Sequence, residues 1–207
     1  MKGESRQTAT VGATEHGNSA ILVTVTSEGE LLDRRKVNLT EGLPTHPYHH
    51  EGAWAVGRYK DSPWAREITL PEAIALIERV HEAAAVGARE CLGALSDALS
   101  AEIGGIAIRE CPELPPTIGE RIADNRAQTV ADTVMYRQAL AAAAEARGWA
   151  VYWYDRERVF DEAEKVLGAT DINAVLQAMG KSVGPPWQAR HKLAAAAALA
   201  TMAQYRQ

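Results

Sequence analysis

Cysteine is nearly absent: Cys91 and Cys111 are the only two in 207 residues, and neither has a second Cys or a His at close ligand spacing. That excludes a cysteine–histidine zinc motif and a disulfide framework. The two read as reduced thiols of the kind that cores bury, not bonded to each other. Positive charge is not in excess either. Against 27 acidic residues stand 22 Lys and Arg, for a net charge of −5. A generic nucleic-acid coat is thereby excluded, because phosphate binding is driven mainly by Lys and Arg. A small basic cleft, or an acidic metal site, remains compatible with that balance. No run approaches about 18 consecutive apolar residues, and the alanine-rich stretch near the C-terminus is too weakly apolar to span a bilayer. Residues 1–7 are polar and lack the apolar stretch of an export signal. The expectation is a cytoplasmic protein with no membrane partner. No internal repeat or low-complexity linker interrupts the chain, so residues 1–207 read as a single domain.

What is present is a globular composition, 46% hydrophobic and 24% charged. Residues 8–14, 20–26 and 31–39 are strands separated by Gly17-Asn18 and by Ser27-Glu28-Gly29-Glu30, which makes an antiparallel meander. A long connection follows over 40–68, and connections of that length are usually functional or disordered. Thr69-Leu70-Pro71-Glu72 is a capping box with proline in the first turn. The helix behind it, over 71–99, carries Ile74, Ile77, Val80, Ala84, Ala88, Cys91, Leu95 and Leu99 as one apolar stripe. Residues 104–108 form an apolar run without polar alternation, suited to a strand covered on both faces. A helix over 127–147 and an aromatic strand over 149–154 come next, then helices over 158–167, 172–179 and 188–205. A meander followed by two crossover helices predicts a five-stranded mixed α/β sheet. Its strand order is 3-2-1-4-5, with helices on both faces and the fourth strand parallel to the first.

Several residue groups invite chemistry. Three of the six histidines, His46, His49 and His50, fall together beside Glu51, a donor set that suits zinc, manganese or iron. Pro47 opposes a helix there, so the competing reading is a rigid exposed loop that packs Tyr48. Residues 114–126 border the end of the fourth strand. Thr117 can cap a helix there, and Arg121 and Arg126 are candidates for phosphate contact or simply solvated charges. Trp54, Trp64, Trp149, Trp153 and Trp187 offer faces for base stacking. Core packing explains Trp149 and Trp153 better, as members of a central strand.

The element order resembles the ribonuclease H-like fold, and within it the RuvC Holliday-junction resolvase branch. Val11-Gly12-Ala13-Thr14-Glu15-His16-Gly17 stands where that family has its first strand, Gly-Ile-Asp-Pro-Gly. Ile106-Ala107-Ile108-Arg109-Glu110 stands where the family has an apolar strand ending in glutamate, and residues 186–196 stand at its last helix. The chain also resembles a group of bacterial proteins without an assigned activity, with similar His-Pro-Tyr-His-His-Glu-Gly and Leu-Pro-Pro-Thr-Ile stretches. The RuvC resemblance implies a nuclease whose converging carboxylates hold two divalent ions, Mg²⁺ or Mn²⁺, for phosphodiester hydrolysis. It implies branched or single-stranded nucleic acid as partner, and it admits a homodimer. Thr14, Arg109 and Ala194 depart from the family pattern at three ligand positions, while His191 fits the penultimate one.

A rearranged catalytic and metal-binding set of Glu15, Glu110 and His191, joined by His46, His49 and His50, is therefore the candidate site. It requires each strand to end just before its glutamate, because a one-residue shift along a strand reverses the face. On the other reading, Glu15 or Glu110 pairs with Arg109 as a structural ion pair. The functional expectation is a RuvC-like metal-dependent nucleic-acid phosphodiesterase, or else a non-catalytic binding or assembly module on the same fold. A small-molecule or phosphate-binding enzyme of the actin-like group is disfavoured by the absence of glycine-rich phosphate loops.

Overall fold

In the computed structural model, residues 7–63, 65–168 and 171–202 are described. Strands β1 (Thr8–His16), β2 (Ser19–Thr26) and β3 (Leu31–Asn38) form the meander. β4 (Glu102–Arg109) and β5 (Ala150–Tyr154) complete one five-stranded sheet in the order β3-β2-β1-β4-β5. β1 pairs antiparallel with β2 and parallel with β4, which pairs parallel with β5. The predicted order and the parallel fourth strand are both present.

Helices cover both faces because the central strands are apolar on both. α2 (Leu70–Ala98) starts at the capping box, where Thr69 accepts the Glu72 amide and the Glu72 carboxylate accepts the Thr69 amide. It packs with α4 (Asn125–Glu145) on one face, burying Val11, Ala13, Leu22 and Ile106 against Ile77, Leu92 and Leu140. α5 (Val159–Leu167), α6 (Ile172–Val183) and α7 (Ala189–Thr201) cover the other face over Val23, Val25 and Ala107. The alternation of side chains along each strand decides which helix layer each residue meets. Among the described residues, no helix is long and apolar enough to cross a membrane. Cys91 and Cys111 are free thiols, each half-buried.

Three features add to or depart from the sequence expectations. The 40–68 connection contains a π-helical turn, Tyr48–Gly52, running into a single turn α1 (Ala53–Ala55). Pro47 does not prevent it, because it sits at the N-cap, where its missing N–H is not needed. Tyr48 is fully buried, packed as the loop reading had it. A short helix α3 (Ile118–Ala123), capped by Thr117 and Glu120, precedes α4. Trp153 is 44% exposed because β5 is the edge strand, not a central one, whereas Trp149 is in the core at 7%. Trp64 lies outside the described residues.

Candidate functional site

The carboxyl ends of β1, β4 and β5 open into a cleft of about 770 Å³ lined by Glu15, Arg109, Glu110, Arg137, Tyr154 and Arg156, among others. β1 continues through His16, so Thr14 and Glu15 project to opposite faces. Glu15 turns toward α4. Its Oε1 accepts from Arg137 Nε at 2.9 Å and Nη2 at 2.6 Å. The side chains are only 7% and 6% exposed. Arg137 Nη1 donates to the Glu110 main-chain carbonyl at 2.7 Å. One guanidinium thus ties the end of β1 to the end of β4, in the multi-donor geometry that Lys cannot supply. The partner of Glu15 is Arg137 from α4, not Arg109. Glu110 itself lies just past the strand and is exposed.

Two other groups in this cleft are unsuited to proton or nucleophile chemistry. The Cys111 thiol is held above its ordinary range, chiefly by burial, which leaves little thiolate near neutrality. Burial also lifts the Tyr154 phenol strongly, and its hydroxyl is engaged by the Ala13 carbonyl at 3.2 Å.

His191 stands elsewhere, in a smaller pocket of about 220 Å³ with Thr14, Ser19, Lys36, Gln188 and Arg190. Thr14 Oγ1 donates to the Arg190 carbonyl at 3.2 Å. The structure therefore brings Glu15 and Glu110 to one cleft and His191 to another. Packing of α7 explains why nothing links them. A Cβ on Gly12 would sit 1.8 Å from the Ala194 carbonyl oxygen, so helix and strand touch backbone to backbone. Ala194 to Ala198 are fully buried there. A carboxylate at 194 would be buried without room for an ion and its ligands.

The histidines of the π turn form a separate group. The His46 and His50 rings lie 5.8 Å apart edge to face, and those of His49 and His50 5.2 Å apart. Asp132 on α4 is the anchor, its carboxylate accepting the amides of Tyr48 at 2.9 Å and His49 at 3.1 Å. His46 Nδ1 is 3.9 Å from the same carboxylate. Burial, then the neighbouring His50, His49 and His16, hold His46 below its ordinary pKa. Burial likewise lowers His49, with His50 and Arg58 adding to it. Glu51 is buried and paired with Arg66 at 2.8 Å. Among the described residues, no group of three His, Cys, Asp or Glu side chains is placed to hold a metal ion.

Of the two arginine candidates, Arg121 is spent on the fold. It donates to the carbonyls of Pro115 at 2.7 Å and Pro116 at 3.3 Å and to the Tyr48 hydroxyl at 3.4 Å. Arg126 is exposed at the start of α4, where Asp124 caps its amide at 2.7 Å. Trp54 stacks on His50 and carries the Arg66 guanidinium 4.4 Å above its ring.

Two residues that matter here, Arg137 and Asp132, were not singled out by the sequence. Both lie on the buried side of α4 among alanines, valine and methionine. A charged residue inside an apolar helix stripe is the signal that marks them.

Compared with solved structures, the chain matches T. thermophilus RuvC in complex with a Holliday junction substrate. The TM-score is 0.50 at 15% identity, over 96% of this chain and 95% of that one. A second Thermus thermophilus RuvC structure matches at TM-score 0.52 and 11% identity, over the same shares. The fold is that of RuvC. At these identities the likeness speaks for the ribonuclease H-like α/β fold. No family model matches the sequence, and no curated protein does. The residues present do not fit a RuvC-type pair of divalent ions. Thr14 and Ala194 offer no carboxylate, Arg109 brings a cation, and the Glu15 carboxylate is already held by Arg137.

Proposed function

We propose that the chain is a cytoplasmic nucleic-acid-binding module of the RuvC fold, in which the family's first ligand position is Thr14 and the neighbouring carboxylate, Glu15, is held by an internal cation. The observation that carries this reading is the buried Arg137–Glu15 pair at the mouth of β1 and β4. It satisfies the carboxylate without an ion, so a metal ion could take Glu15 only by displacing the guanidinium. The fold's likeness to a RuvC structure bound to a Holliday junction supports branched nucleic acid as the partner, with single-stranded nucleic acid as the other candidate. Arg109 and Arg156 on the cleft wall are free to face a phosphate backbone.

A second reading, a rearranged nuclease using Mg²⁺ or Mn²⁺, draws on the four acids of the cleft, Glu15, Glu110, Asp155 and Glu157. It requires Arg137 to release Glu15. The deciding experiment offers labelled four-way junction, single strand and duplex to the protein with and without Mn²⁺, and measures binding and strand integrity together. Binding without cutting supports the module. Cutting that needs Mn²⁺ and is lost in Glu110→Gln supports the nuclease.

A further inference from the structure

The pocket that holds His191 is lined by basic, polar and apolar residues, with no acidic side chain among them. The pairing register places Thr14 beside Ile21 and Ile21 beside Lys36, so these three form one row across β1, β2 and β3. The next row on the same face is Gly12, Val23 and Arg34. α7 presses onto that row at Gly12, and its first turn stands over Thr14. Arg34 fixes the incoming loop by donating to the carbonyls of Gly184, at 3.1 Å, and Pro186. Trp187 lies against Gly180, where a Cβ would come within 2.3 Å of its ring, and stacks on His191 at 5.8 Å. The walls are thus fixed by packing rather than by a mobile loop.

The chemistry of the lining is one-sided. The Gln188 amide donates to His191 Nδ1 at 3.1 Å. Nδ1 must therefore be bare, and the neutral ring carries its proton on Nε2. His191 is 94% buried, being 6% exposed, and Nε2 has no hydrogen-bond partner among the described residues. Burial, then Arg34 and Arg190, keep the ring below its ordinary pKa, so Nε2–H remains a neutral donor at neutral pH. Lys36 and Arg190 form no ion pair among the described residues. No lining residue is acidic, whereas the neighbouring cleft has four acids. The first turn of α7 adds the positive end of a helix dipole.

We propose that Lys36, Gln188, Arg190 and His191 form a binding site for a phosphate group, seated beside Thr14 at the start of α7. The volume, about 220 Å³, is below the roughly 300–1,000 Å³ of sites that enclose a whole drug-sized ligand. It suits one phosphate with water. The site takes the anion directly on protein donors at a position next to Thr14, where the RuvC pattern has a metal-binding aspartate. The phosphate comes either from a nucleic-acid backbone or from a terminal or free phosphomonoester. The first source rests on the nucleic-acid reading; the site itself does not.

The test is calorimetric titration of the full chain with inorganic phosphate, repeated with Lys36→Met/Arg190→Met and with His191→Ala. Circular dichroism and thermal melting check that the variants remain folded. The double variant changes two exposed side chains, so it retains the fold if His191→Ala does not. Phosphate should bind the parent, compete with sulfate, and weaken at least tenfold in the double variant. No heat from phosphate in the parent, or equal affinity in the folded double variant, would overturn the proposal. A 5′-phosphorylated oligonucleotide and its unphosphorylated twin separate the sources. A tenfold preference for the phosphorylated one that vanishes in the double variant assigns the site to a terminal phosphate. Equal binding of both, weakened equally by the double variant, assigns it to the backbone. Inorganic phosphate binding without any oligonucleotide binding leaves the site standing and removes the nucleic-acid function.

Discussion

Arg137→Met removes the guanidinium from a carboxylate that is 7% exposed and keeps most of the aliphatic volume of the side chain. The Glu15 charge is then left buried without its partner, which typically costs about 3–5 kcal/mol. The Glu110 carbonyl loses its 2.7 Å donor at the same time, about another 1 kcal/mol where water cannot replace it. The expected loss is therefore about 4–6 kcal/mol, a large part of the stability of a domain. Glu15→Gln/Arg137→Met removes both charges, and its loss should be much smaller than the sum of the two single losses. The coupling in that double-mutant cycle should exceed about 2 kcal/mol. Urea unfolding followed by circular dichroism and tryptophan fluorescence gives these differences directly. A loss below about 1 kcal/mol for Arg137→Met, or additive single and double variants, would show that solvent already screens the pair and that the cleft is not organised by it.

Three further outcomes follow from the same geometry. Burial lifts Asp132 from 3.8 to about 7. Its folded pKa is above the unfolded one, so its contribution is fully present below about pH 4 and is lost as pH rises toward 7, by about 1.4 kcal/mol per pH unit at most. Stability measured from pH 4 to pH 8 should show that loss in the parent and not in Asp132→Asn. Asp132→Ala strands the amides of Tyr48 and His49 and should cost about 2–6 kcal/mol by urea unfolding, at about 1–3 kcal/mol per unpaired group. Within α2, Gly87→Ala drives a Cβ to 2.2 Å from the Leu39 carbonyl oxygen, whereas Gly93→Ala meets only the end of Arg147 at 3.3 Å. The first should lose about 1–3 kcal/mol and the second should gain up to about 1 kcal/mol, and equal melting temperatures for the two would contradict the packing of α2 against Leu39, just past β3.

Much of the fold was legible because its signals are local. The Thr69–Glu72 box starts α2 where the sequence placed the helix, and the turns at Gly17 and Gly29 close the meander at the expected residues. Right-handed crossovers then leave few sheet orders to choose from. The site was less legible because its decisive contacts are distant in sequence. Glu15 and Arg137 are 122 residues apart, and nothing near either residue announces the pair. Whether Glu15 faced α4 or α7 depended on one residue of strand length. β1 runs through His16, which sends Glu15 to the α4 side and leaves Thr14 facing α7. Trp153 was misplaced because an aromatic strand reads alike at an edge and in a core. His191 stood out only through a ligand position in the resemblance, and its neighbours Lys36 and Arg190 join it through strand register and a helix start.

The central claim is that the RuvC fold here binds nucleic acid without cutting it through metal ions. The most direct measurement is fluorescence anisotropy of a labelled four-way junction titrated with the protein, at several salt concentrations and with Mn²⁺ absent or present. Strand integrity is read on a denaturing gel of the same samples. Saturable binding that weakens with salt, is unchanged by Mn²⁺ and leaves every strand intact is the predicted result. Mn²⁺-dependent cleavage, or no binding to the junction, to single strand or to duplex, would contradict it.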